Sequence, residues 1–168
     1  MTWKPHVTVA AVIEREGRFL MVEEKSEGRL VYNQPAGHLD EGEGLIAAAI
    51  RETLEETAWH FVPTALVGFY LWQHPQKSST YLRACFTGTC HGHDPLLKLD
   101  RGIVRALWMS RAELMAHADR LRSPLVLQCV DDYLAGKRYP LEIMNDHHFI
   151  PVSRDADADT QQRGSAAA

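Results

Sequence analysis

Residues 45–57, LIAAAIRETLEET, have few alternatives to a helix: three consecutive alanines and no interior Gly or Pro. At about 100° per residue, Ile46, Ala49, Ile50, Thr53 and Leu54 fall on one arc, and Glu52, Glu55 and Glu56 gather on the other. The expectation is a helix that packs its aliphatic arc on a sheet and presents three carboxylates outward. Carboxylates three and four residues apart repel one another, so their grouping needs a reason. Arg51, at the edge of the acidic arc, offsets part of that repulsion. One reading is a solvated acidic face; the other is a divalent-metal site, because carboxylate oxygens suit hard cations such as Mg²⁺ or Mn²⁺. The three glutamates alone do not decide between them.

Around this helix the chain reads as strands. HVTVAAVIERE and RFLMVEE alternate in polarity or are rich in β-branched residues, and Gly17 between them predicts a hairpin. KSEGRL reads as a loop, and VYNQPAGHLDEGEG as mostly irregular chain. TALVGFYLWQH and STYLRACFTGTC predict two strands joined at PQKSS, and VRALWMS a short one. Ser110 and Glu113 have the spacing of a capping box. Ser123 as N-cap, Pro124 at the first helical position and Gly136 at the end bracket a last helix. Residues 153–168 are small, polar and aperiodic, and are expected to be a disordered tail after a domain spanning 1–152. Strands and helices alternating in this way favour an α/β fold with a mixed sheet covered by helices.

The chain of 168 residues is enough for one domain with a core, and its 45% hydrophobic composition is that of a globular protein. A net charge of −4 gives no polyanion-binding surface, so nucleic acid is not expected as a partner. The sequence holds no apolar run long enough for a membrane-spanning helix. The start, MTWKPHVTVA, lacks the layout of a signal peptide. Cys85, Cys90 and Cys129 form no CxxC, and a sparse, odd set suits free thiols in a reducing cytoplasm.

The context of the glutamates decides their reading. In GHLDEGEGLIAAAIRETLEETA, Gly37, Glu43, Arg51, Glu52, Glu55 and Glu56 stand at the spacing G-x5-E-x7-R-E-U-x-E-E-x-G-U. The chain therefore resembles the Nudix hydrolases. KPHVTVA, NQPAGHLDEGE, the Trp72–Arg83 hairpin and LRSPLVLQCVDDYLAGKRYPLEI resemble the NudJ phosphatase branch in particular, over roughly residues 3–144. Two positions depart from the pattern. Ala58 stands where the family has the glycine that ends the helix with positive φ, so the helix is expected to run on slightly; Thr53 stands at the aliphatic position.

The resemblance implies an α/β/α sandwich with a mixed sheet, and a Mg²⁺-dependent hydrolase of phosphoanhydrides for which Mn²⁺ is a possible substitute. It implies that Glu55 and Glu56 bind the metal, that Glu52 is a ligand or the base, that Gly37 lends its carbonyl, and that Arg51 orients the carboxylates by pairing with Glu43 or Glu52. A further acid from a later loop is implied, with Asp94 and Asp100 as candidates. Arg83 is a candidate phosphate clamp, Trp72 and Tyr81 are candidates for stacking on a ring, and His38 is a candidate phosphate contact. Cys90, His91, His93 and Asp94 suggest zinc only weakly, as does NDHHF near the end, because no matching second pair is present.

The implied substrates are small phosphoanhydrides: nucleoside tri- and diphosphates and a thiamine-precursor hydroxymethylpyrimidine pyrophosphate. The implied reaction removes a terminal phosphate from these substrates, and the enzyme is expected to be a cytoplasmic monomer or dimer. The alternatives are a pyrophosphohydrolase that releases pyrophosphate, an enzyme acting on RNA 5′ ends, which would want a more basic surface, and a non-catalytic nucleotide sensor. Sensors tend to lose the box carboxylates, and this chain keeps them.

Overall fold

In the computed structural model, which describes residues 3–145, the first strand, β1 (His6–Arg15), is buried on both faces. Its side chains alternate with period two between two cores. Val9, Ala11 and Ile13 pack with Ala48 and Ala49 of the helix α1 (Leu45–Thr57). Ala10 and Val12 pack with Val126, Cys129 and Val130 of the helix α3 (Leu125–Leu134). Helix, sheet and helix thus form an α/β/α sandwich, and the run VAAVI is apolar throughout because neither face meets water.

Two strands continue the sheet on one side: β5 (His60–Gln73) and β6 (Thr80–His91) form the hairpin expected across PQKSS. β6 runs parallel to β1 over residues 81–88, and the other pairings are antiparallel, so the sheet is mixed. On the other side, β2 (Arg18–Ser26) pairs with β3 (Arg29–Asn33) and with β7 (Ile103–Ser110). The short strand β4 (Ala36–His38) pairs with β1 alone. α2 (Arg111–Ala116) begins with the expected capping box between Ser110 and Glu113.

Several local expectations are corrected. KSEGRL is not an open loop: the strands run to Ser26 and from Arg29, leaving a two-residue turn at Glu27 (φ 52°) and Gly28 (φ 77°). Paired positive φ values match the twist of the flanking strands, which is why so short a connection suffices. VYNQPAGHLDEGEG holds the end of β3 and all of β4. Its proline and glycines hid two short strands. Ser123 does not cap α3 with its side chain: Pro124 precedes the first helical residue, and Ser123 Oγ is buried without a partner. Gly136 (φ 83°) follows the helix as expected. The boundary at 152, the tail 153–168 and most of NDHHF lie outside the described residues.

One ion-pair cluster ties β2 to β7 and to the 3-10 turn Ala118–Arg120. The buried Glu23 carboxylate accepts from Arg105 Nε at 2.7 Å and from Arg120 Nη2 at 2.7 Å. Burial alone would raise its pKa, but the two hydrogen bonds and the two charges outweigh burial and hold it below the usual carboxylate range. No helix among the described residues is long and apolar enough to cross a membrane.

Candidate active site

The rotation of α1 differs from the expected one. Its buried residues are Ala48, Ala49, Glu52, Thr53, Glu56 and Thr57, while Ile50 is exposed. Two of the three glutamates therefore face inward, with only 9% of Glu52 and 8% of Glu56 exposed. Hydrophobicity misled the expectation, because the arc that meets the sheet also carries the acids.

The helix does not run on past Thr57. Ala58 adopts the left-handed conformation (φ 59°, ψ 17°), and its N–H returns to Leu54 O at 2.8 Å. This is the helix end that usually calls for glycine. The loop before β7 docks on it: Asp94 N–H donates to Ala58 O at 2.9 Å and Asp100 N–H to Glu55 O at 3.0 Å. The loop thereby brings Asp100 to the carboxylates, and its charge helps to raise the pKa values of Glu52 and Glu56. Asp94 serves the loop instead, accepting from Leu96 N–H at 3.0 Å.

Gly37 is opposite Val9 in the β1–β4 ladder, and Glu52 lies against it. A Cβ on Gly37 would sit 2.0 Å from Glu52 Cδ, so only glycine leaves room for the carboxylate there. Arg51 joins the acids. Its Nη1 donates to Glu52 Oε1 (2.8 Å) and Glu55 Oε2 (3.0 Å), its Nη2 to Glu43 Oε1 (2.6 Å) and to His38 O (3.0 Å), and its Nε to Glu43 Oε2 (3.1 Å). Arg51 thus pairs with both Glu43 and Glu52, and with Glu55 as well. The hydrogen bonds from Arg51 hold the Glu43 carboxylate below its usual range, against the opposing effect of burial.

Glu56 reaches the free edge of β4, where Ala36 N–H donates to its Oε2 at 2.9 Å. Burial pushes its pKa up to about 9 despite that bond, with the charges of Glu24, Glu52 and Asp100 adding to the rise. Burial likewise raises Glu52, against the hydrogen bond and charge of Arg51. Buried carboxylates whose charge is so poorly balanced suit a hard divalent cation, and oxygen is the donor such a cation prefers. Among the described residues, no three acidic, His or Cys side chains already converge as a finished cage. Glu52 and Glu55 are instead engaged by Arg51, so a cation gathering them competes with that guanidinium.

A cavity of about 440 Å³ opens beside these groups, a size that suits a small ligand. Gly37, His38, Glu52 and Glu56 line it, as do Trp72, Tyr81 and Arg83. Arg51, Glu55 and Asp100 are not part of that lining. His38, Thr8 and Arg83 are in register across three strands, so their side chains share a face. Trp72 and Tyr81 face each other across the β5–β6 hairpin with ring centroids 5.7 Å apart, and His6 stacks on Tyr81 at 5.1 Å. His38 is exposed at its edge of the cavity, yet partial desolvation lowers its pKa, with the charge of His6 contributing.

Glu24, Asn33, Lys77, Arg122 and Ser123 also line the cavity and were not foreseen. They come from four separate segments, and no local pattern marks them as cavity residues: Ser123 reads only as an N-cap. The suggested zinc residues are engaged elsewhere: Cys90 with Arg15, His91 beside His60, and His93 against Trp59.

A family model described as the NUDIX domain matches residues 4–128. Phosphatase NudJ of Escherichia coli (strain K12) is 41% identical over 147 residues, which cover 88% of this chain and 95% of that protein. Phosphatase NudJ of Shigella flexneri matches to the same extent. Among solved structures, a NUDIX hydrolase from Nitrosomonas europaea is 50% identical with a TM-score of 0.86, covering 87% of this chain and 99% of its own. The MutT protein from Methanosarcina mazei Go1, at 21% identity and a TM-score of 0.65, covers 82% of this chain and 100% of its own and shares the fold.

Proposed function

This chain belongs to the Nudix family and is an enzyme acting on phosphoanhydrides, and from that premise we propose that it removes the terminal phosphate from nucleoside tri- and diphosphates in a Mg²⁺-dependent reaction. The observation that carries the reading is the convergence of Glu52 and Glu56 with Gly37 at the wall of a cavity that also holds Arg83 and His38. The same reading extends to a hydroxymethylpyrimidine pyrophosphate, a small substrate of the same bond type, and to a cytoplasmic setting in keeping with three free thiols.

The residues divide the work. Glu52, Glu55, Glu56 and the Gly37 carbonyl are the oxygen donors that would hold Mg²⁺. A bound divalent cation neutralises phosphate charge and makes water a better nucleophile. Arg51 fixes the orientation of Glu52 and Glu55. In this reading Glu52 is a metal donor or the base that takes the proton of the attacking water, a role supported by its position against Gly37 at the cavity wall. The bond that breaks joins the terminal phosphorus to the bridging oxygen, and the shortened nucleotide leaves with that oxygen. Asp100, held to Glu55 by its backbone, adds negative charge beside the donors. Trp72 and Tyr81 offer flat surfaces for a base.

The test is the order of products from a nucleoside triphosphate. Orthophosphate with nucleoside diphosphate should form first, and monophosphate later, without added pyrophosphatase. Phosphate that appears only when pyrophosphatase is added, with monophosphate formed directly, would refute the reading in favour of pyrophosphate release.

A further inference from the structure

Arg83 carries a buried charge that pairs with no carboxylate among the described residues; the thiol of Cys129, whose pKa is lowered by a hydrogen bond from Cys85 and by the charge of Arg83, is its neighbour on α3. Only 7% of the residue is exposed. Its Nη1 donates to Gln34 Oε1 at 3.3 Å, and its Nε has no partner. Gln34 is a neutral amide, and Arg83 forms no ion pair among the described residues, although carboxylates line the same cavity. A guanidinium so placed is costly unless an anion joins it. Gln34, itself 1% exposed, donates Nε2 to Val126 O at 2.7 Å and so braces Arg83 against α3.

A second unpartnered group lies in the same cavity wall. Ser123 Oγ is buried without a hydrogen bond, and Ser123 stands two residues before the ten-residue helix α3. A hydroxyl that can donate, at the positive end of a helix, complements an anion. Asn33 Oδ1 is also unpartnered, but its Nδ2 faces Glu24 Oε1 at 3.3 Å. The free atom is therefore an acceptor, which has no part in holding an anion.

We infer that Arg83 and Ser123 form an anion clamp for the terminal phosphoryl group of the substrate, with Gln34 as the residue that positions Arg83. This rests on the reading of terminal-phosphate removal given above. Across the sheet, Arg83 is opposite Thr8 and Thr8 is opposite His38, the neighbour of Gly37. Two strand spacings of roughly 4.8 Å each separate the clamp from the strand that backs Glu52. Arg83 and Glu52 line the same cavity, which is what connects the clamp to the carboxylates. The terminal phosphoryl group has more free oxygens and more charge than an inner one, so it gains most from a buried cation. Water adds to its phosphorus, the bridging P–O bond breaks with its electron pair going to the departing nucleotide, and the clamp then holds orthophosphate. Orthophosphate is thus a product that lingers in the site.

Calorimetric titration of the metal-free protein with inorganic phosphate tests this without turnover. Arg83→Gln should weaken phosphate binding about tenfold or more, Arg83→Lys should restore part of it, and Ser123→Ala should weaken it by a smaller factor. Arg83→Gln should also melt no lower than wild type in phosphate-free buffer, because it removes a buried charge that no carboxylate balances, whereas a merely structural arginine would lower the melting temperature. Failure of the wild type to bind millimolar phosphate, or unchanged affinity in well-folded Arg83→Gln and Ser123→Ala, overturns the clamp. The two readings fail separately. Pyrophosphate released in turnover, with phosphate binding that depends on Arg83, refutes the reaction and keeps the clamp. Orthophosphate released in turnover, with binding indifferent to Arg83, does the reverse.

Discussion

The Glu52 carboxyl group occupies the space where a side chain on Gly37 would begin, 2.0 Å from the position of its Cβ. Strand β4 and helix α1 meet at that point with nothing between them but the acid. Gly37→Ala should therefore leave the fold intact, because the displaced atoms are the far end of a flexible side chain, while expelling Glu52 from its position. The expected result is a fall in kcat on the order of tenfold to a hundredfold, with a melting temperature within a few degrees of wild type. Normal kcat in the alanine variant would show that the placement of Glu52 is immaterial.

Glu55→Gln and Glu56→Gln should each lose activity by about a hundredfold or more at saturating Mg²⁺. The reasons differ. Glu56 is buried and its charge is poorly balanced, whereas Glu55 sits outside the cavity and is engaged by Arg51. Both variants should unfold cooperatively, with near-wild-type circular dichroism. Near-normal kcat in either would remove that residue from the set of metal donors.

Ala58→Gly should stabilise the protein. Ala58 holds a φ of 59°, which costs a residue with a side chain roughly 1 kcal/mol and costs glycine little. A rise of about 2–4 °C in melting temperature is expected, with kcat unchanged because the backbone path stays the same. A lower melting temperature would mean that the buried Ala58 methyl contributes more through packing than it costs in strain.

The stability conferred by Glu23 should depend on pH in a definite direction. Its folded pKa is lowered from the ordinary value of 4.5, so its contribution is full above that value and is lost as the pH falls through the folded one. Glu23→Gln should lower the melting temperature at neutral pH by a few degrees, since it weakens the bonds from Arg105 and Arg120. The gap between variant and wild type should close toward pH 3. A gap that stays constant from pH 7 to pH 3 would place the effect in packing rather than charge.

Much of this architecture is legible in the sequence where a pattern is local. The helix over 45–57, the β5–β6 hairpin and the Ser110–Glu113 capping box all follow from residues close in the chain. The six box residues announce the acidic site through their spacing. What is not legible depends on long-range packing. The hydrophobic arc of α1 predicted the wrong rotation, because Glu52 and Glu56 are drawn inward by Gly37 and by the Ala36 N–H, neither of which lies on the helix. Ser123 has the sequence of an N-cap, but Pro124 intervenes and the Ser123 hydroxyl is buried without a partner. Arg83 could be suspected as a phosphate contact, yet its lack of a carboxylate partner emerges only when β6, Gln34 and α3 come together.

The docking of the loop before β7 on the end of α1 uses main-chain donors alone: the N–H groups of Asp94 and Asp100 find the carbonyls of Ala58 and Glu55. A seam stitched by backbone is indifferent to most side chains but strict about counting. Between its two stitches, replacing Leu96, Leu97 or Lys98 should alter kcat little, since Asp100 keeps its place. Deleting one residue from that stretch should pull Asp100 out of step with the helix and lower kcat, even though every box residue is untouched. A deletion that works as well as the substitutions would show that the loop finds the helix by other means. Drift in this protein would then be written in the letters of the loop and seldom in its length.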